Sequence, residues 1–173
     1  MQNKGLTLIE AVIALFLITM GMVGFFSLFQ KIINYNTVIS SRLIAAYLAQ
    51  EGIEIVRNIR DNYWLDTDPS MTWDDFRGDG SLYCSSGCEF DYESLDFNSF
   101  GQGDDYLKID DNGDNKGFYN YTDGPTTKFK RKIIITSSEN EEVNVVAEVR
   151  WTEKGQDYEI KVQENLYKWW MVE

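Results

Sequence analysis

The sequence predicts an α+β protein in which one long N-terminal helix packs on an antiparallel β-sheet. Three observations carry this. From Leu6 to Gln30 runs an apolar stretch with a single charge, Glu10. It passes, with no proline before Pro69, into a segment whose apolar residues recur every three or four positions, the period of a helix face. Residues 126–173 then change to an apolar/polar alternation of period two, broken by short polar connections, the pattern of half-buried strands.

The 173 residues allow one modest domain plus a segment or two. Ten Tyr, ten Phe and five Trp suit a packed β-rich core and argue against a disordered chain. The net charge of -12 is unevenly placed: residues 61–125 carry sixteen Asp/Glu against three Lys/Arg. Such a surface repels phosphates, so no nucleic-acid partner is expected. The one basic cluster, Lys128, Lys130, Arg131 and Lys132, reads as the solvated start of a strand.

Residues 6–30 form the first element, about 37 Å long as a helix, enough to cross a hydrocarbon core of about 30 Å. No small-residue cleavage site follows Phe29 and no cysteine is placed for lipid attachment, so the helix is expected to stay on the protein. The expected topology is a single pass, with the C-terminal domain outside the cytoplasm. Residues 31–61 continue the helix as an amphipathic half. Leu43, Ile44, Tyr47, Leu48, Ile55, Val56 and Ile59 form the face expected to pack on the sheet, opposite Arg42, Gln50, Glu54, Arg57 and Asp61. A single helix from about Leu6 to Arg60 follows, softened locally by Gly21, Gly24 and Gly52.

Residues 62–173 are expected to form an extracytoplasmic globular β-domain, with the acidic loop region at 62–125. Within the loops, "DYLKIDDNGDNKGFYNYT" reads as strand, turn, strand, with Asp111, Asn112 and Gly113 at the turn. "KFKRKIIIT", "EVNVVAEVRWT" and "QDYEIKVQENLYKW" read as three further strands. The short connections "SSEN" and "EKGQ" favour an antiparallel meander in a sheet of four or five strands.

Cys84 and Cys88 are the only cysteines, and the chain has no histidine, so a zinc site would need an uncommon ligand set. A small-loop disulfide on an exported domain is expected, with two free thiols as the alternative. Asp110, Asn112 and Asp114 have the spacing of the first three ligands of a calcium loop. However, Asn115 stands where glycine is preferred and Tyr121 where the bidentate glutamate belongs, so a hairpin turn is the preferred reading and no cofactor is expected. Without histidine, a nucleophile motif or a glycine-rich phosphate loop, the chain is not expected to be an enzyme.

A charged carboxylate near the middle of a spanning helix costs about 2.5–3.5 kcal/mol, so Glu10 needs a partner or a purpose. "KGLTLIEAVIALFLITMGMVG" resembles the N-terminus of type IV prepilins and pseudopilins, in which a short basic leader ends in glycine before an apolar segment with glutamate at its fifth position. "MGMVGFFSLFQ" and "LAQEGIEIVRNIRD" look similar to minor pilins of the PilV-like class. The resemblance implies a type IV pilin-like fold and a structural role. Met1 to Gly5 would be a cytoplasmic leader held by Lys4, and a prepilin peptidase would cut between Gly5 and Leu6 and methylate the new amine of Leu6. Leu6 stands where phenylalanine is commoner in the family. Gly5, lacking a Cβ, lets the peptidase approach the scissile backbone. Glu10, with Thr7 as a hydrogen-bonding neighbour, would neutralise the N-terminal amine of an adjacent subunit in the filament core. The implied partners are the prepilin peptidase, other pilin subunits and the inner-membrane assembly platform; the implied location is the inner membrane, then a cell-surface pilus.

Two other readings stay open on the sequence. A pseudopilin of a type II secretion system shares every motif quoted. An uncleaved bitopic membrane protein with an external ligand-binding domain would keep Met1.

Overall fold

The computed structural model describes residues 5, 7–65, 73, 84–92, 98–101, 106–137 and 142–168. The chain comprises two compact units, residues 1–41 and 42–173. Helix α1 (Leu8–Leu65) contributes to both.

In the first unit every described residue up to Thr37 is exposed, the apolar ones included. Between Leu8 and Ser41 the only charged side chains are Glu10 and Lys31. This part of α1 is long and apolar enough to cross a membrane, and so is compatible with a single-pass membrane protein. Two of its hydroxyls bond back to the helix. Thr19 Oγ1 donates to the Phe16 carbonyl at 2.9 Å and Thr37 Oγ1 to the Ile33 carbonyl at 3.2 Å, which satisfies hydroxyls in an apolar setting.

The second unit sets the rest of α1 against an antiparallel sheet, giving the α+β layout. Seven strands lie among the described residues: β1 (Cys84–Glu89), β2 (Asn98–Ser99), β3 (Tyr106–Ile109), β4 (Tyr119–Asn120), β5 (Thr126–Ser137), β6 (Glu142–Glu153) and β7 (Gln156–Tyr167). The sheet is thus larger than the four or five strands expected. β5, β6 and β7 make the meander, in register from Phe129↔Trp151 to Ser137↔Val143 and from Glu142↔Tyr167 to Glu153↔Gln156. The β6–β7 connection turns on Lys154 (φ 53°) and Gly155 (φ 76°). Positive φ at both central residues is the mark of a type I′ turn, whose twist matches the strands it joins. The "SSEN" connection lies largely outside the described residues.

The edge of β5 opposite β6 is shared end to end. β3 pairs with its first half (Tyr106↔Lys130, Lys108↔Thr126) and β1 with its second (Cys84↔Ile135, Cys88↔Ile133). β2 extends β1, and β4 extends β3. Between Cys84 and Cys88 the register slips, because four residue steps on β1 oppose two on β5. A disulfide between Cys84 and Cys88 closes this bulge. Gly87 sits inside it at φ 104°, where a Cβ would come within 2.0 Å of Lys132 Cε, so only glycine fits.

The face that α1 buries includes the expected Leu48, Val56 and Ile59, with Ile44 and Ile55 packed at its margin, but differs at Leu43 and Tyr47, which are 56% and 63% exposed; Ala45, Ala49, Gly52 and Ile53 complete it. The packed seam is built on small residues because helix and sheet approach closely. A Cβ on Gly52 would lie 2.6 Å from Ile133 Cδ1 and 3.2 Å from Arg131 Cδ.

Arg131 is the second correction. Alternation along β5 puts Lys128, Lys130 and Lys132 on one face and Phe129, Arg131 and Ile133 on the other, so Arg131 is completely buried and is no part of a solvated cluster. Its Nη1 donates to the Leu48 carbonyl at 3.3 Å and lies 3.2 Å from Glu51 Oε1, while Nη2 donates to the Phe90 carbonyl at 3.1 Å. One side chain therefore ties α1, β5 and the segment after β1 together. On the far strand, Arg57 Nη2 donates to both oxygens of Glu164, at 2.8 and 2.6 Å, and this pairing holds the Arg57 pKa above its ordinary value.

Candidate functional site

The N-terminal site begins with the helix start. Thr7 precedes α1; its carbonyl accepts from the Ala11 amide at 3.2 Å and its Oγ1 accepts from the Glu10 amide at 3.3 Å. Thr7 is thus the N-cap, supplying an acceptor to one of the amides that a helix leaves unpaired at its start. The spacing Thr-x-x-Glu was a readable N-terminus signal in the sequence. Glu10 lies in the first turn with its side chain exposed, where the positive end of the helix dipole favours a carboxylate. Gly5 is exposed, and among the described residues nothing lies within 4 Å of where its Cβ would be. Lys4 and Leu6 lie outside the described residues. The arrangement is an accessible glycine, a capped helix start and one carboxylate at the head of an exposed apolar helix.

The chain matches no protein-family profile, no curated protein and no solved structure.

The hairpin tip between β3 and β4 holds the calcium-loop residues. Asp110, Asn112 and Asp114 line one open concavity of about 330 Å³, together with Asp123. Their polar atoms shape the turn: Asp110 Oδ1 accepts from the Asn112 amide at 2.8 Å, and Asn112 Nδ2 donates to Asp111 Oδ1 at 2.6 Å. Main-chain bonds from Asp110 to Phe118 and from Gly117 to Asp110 close the loop. Among the described residues, no group of three or more carboxylates or cysteines gathers closely enough to hold a metal ion.

The outward face of the meander carries a charge network that strand alternation makes legible in retrospect. Glu148, only 4% exposed, is flanked by Arg150 and by Lys161 at 3.0 Å; Glu159 bridges the same two cations, with Arg150 Nε at 2.8 Å and Lys161 Nζ at 2.9 Å. The Lys161 hydrogen bond chiefly holds the Glu159 carboxyl below the usual carboxylate range. Beside it, Tyr106, Lys128, Lys130 and Arg150 line a shallow groove of about 570 Å³, with the Lys130 ammonium 4.2 Å from the Tyr106 ring centre.

Proposed function

We propose that this chain is a type IV pilin-like precursor, a minor pilin of a type IV pilus or related filament. The observation that carries the reading is the motif at the helix head: an accessible Gly5 three residues ahead of an exposed apolar helix segment, residues 8–37, in which Glu10 of the first turn is the single acidic residue. A helix this apolar and uncovered needs a lipid bilayer or the helices of other subunits around it. Membrane-held precursors that become filament subunits need both in turn. Prepilin peptidase would cut between Gly5 and Leu6 and methylate Leu6; the subunit would then leave the inner membrane through the assembly platform. The new N-terminal amine on one subunit would give Glu10 of its neighbour an opposite charge inside the filament, where either charge alone is costly. The globular unit, with its acidic segment, would face outward.

Co-expression with a prepilin peptidase followed by intact-mass measurement tests this. A chain beginning at Leu6 and carrying a methyl group is expected. A chain still beginning at Met1, or cut elsewhere, overturns it and favours an uncleaved bitopic membrane protein.

A further inference from the structure

We propose that Asn112 is a self-modifying residue, converted to aspartate and isoaspartate by attack of the following amide nitrogen. Asn112 and Gly113 form the exposed tip of the β3–β4 hairpin. The reaction needs three things that the tip supplies. First, the nucleophile must be free. Gly113 donates no hydrogen bond through its N–H among the described residues. Second, the ring that forms must not be crowded. Gly113 has no side chain, lies at φ 69°, and has nothing within 4 Å of the Cβ position. Third, the carboxamide must be reachable by water, and Asn112 is exposed, its Nδ2 held at the surface by Asp111 Oδ1.

The step balances without an oxidant or reductant. The Gly113 nitrogen gives its proton to solvent and bonds to Asn112 Cγ. The Cγ–Nδ2 bond breaks, and ammonia leaves with a proton taken back from solvent. Water then opens the five-membered succinimide at either carbonyl. The product places one more negative charge beside Asp110, Asp111 and Asp114; in the isoaspartyl form, it also adds one backbone atom to the turn.

The structure singles out this asparagine from others in the chain. Asn120, in the same hairpin, is fully buried. Its Oδ1 accepts from the Thr122 and Asp123 amides at 2.9 and 2.8 Å, and the amide that would have to attack, Tyr121 N, is committed to Asp91 Oδ2 at 3.0 Å. Asn98, Asn144 and Asn165 lie within strands, and Asn58 within α1, where the following amide belongs to regular structure.

The test is prolonged incubation of the full chain in detergent at mildly alkaline pH, followed by peptide mass spectrometry that separates aspartyl from isoaspartyl forms. Replacement of NH2 by OH is expected in the peptide containing Asn112, as a mixture of both forms, while Asn120 stays intact. Asn112→Gln should lose this signal, since its longer side chain closes a larger ring far more slowly. The proposal is overturned if Asn112 stays unconverted in the folded chain while a free peptide of the same sequence converts, or if Asn120 converts at the same rate.

Discussion

Arg131 Nη1 donates to the main-chain carbonyl of Leu48 at 3.3 Å from a completely buried position, so a charged side chain in β5 serves a helix carbonyl. Arg131→Ala would remove the hydrogen bonds to the Leu48 and Phe90 carbonyls and leave a void beneath α1. The expected loss is about 2–4 kcal/mol of unfolding free energy. Arg131→Met keeps most of the volume and should cost distinctly less. Denaturant unfolding of the detergent-solubilised chain measures both; equal losses would assign the whole effect to the lost hydrogen bonds.

Gly52→Ala tests the closeness of helix and sheet. At an exposed helical position this exchange stabilises by about 1 kcal/mol. Here the added methyl would lie 2.6 Å from Ile133 Cδ1 and 3.2 Å from Arg131 Cδ, and both of those residues are fully buried. Overpacking costs about 1–3 kcal/mol, which outweighs the helix gain, so net destabilisation of up to about 2 kcal/mol is expected. A rise in unfolding midpoint would show that the seam has room.

These two residues also mark where the sequence was readable. The meander was legible because Val143, Val145, Ala147, Val149 and Trp151 alternate without interruption. Arg131 was misread because a run of four cations in five residues suggests water, yet its neighbours two positions away, Phe129 and Ile133, already placed it on the apolar face. The buried seam of α1 was half legible: Leu48, Val56 and Ile59 were assigned correctly, but Leu43 and Tyr47 drew attention by size, whereas close packing selects Ala45, Ala49 and Gly52 for being small. β1 was not legible at all, because "CSSGCE" bulges and so shows no period of two. Of the N-terminal site, both the motif and the Thr-x-x-Glu spacing that makes Thr7 the cap are legible in the sequence.

Tyr121 predicts an alkaline limit to stability. Burial pushes its hydroxyl up to about 12, and the group donates to the Arg131 carbonyl at 3.0 Å. The folded value is raised, so the neutral phenol is favoured in the native state. Its contribution is fully present below pH 10, the ordinary tyrosine value, and is lost as pH rises toward 12, by up to about 2–3 kcal/mol. Stability measured against pH should fall across that window, and Tyr121→Phe should flatten the fall.

Reducing the disulfide, or replacing both Cys84 and Cys88 by alanine, opens a short loop. Chain entropy sets the loss at about 2 kcal/mol. The thermal midpoint should drop, and hydrogen exchange should quicken first in β1 and β2. Unchanged exchange there would mean that pairing with β5 alone fixes the bulge.

On the filament reading, Glu10→Ala should leave cleavage before Leu6 intact while lowering incorporation into filaments several-fold, as quantified on sheared filaments. Normal incorporation would remove charge pairing from the assembly step and leave Glu10 only its place at the helix head.

The shared edge of β5 has an evolutionary consequence. Because β1 and β3 occupy separate halves of one strand, each carrying its own short partner, either patch can lengthen, shrink or change its loops without shifting the register of the other or of the meander. The fold therefore offers two independently variable areas on one constant frame, an arrangement in which loops can change while the framework stays the same.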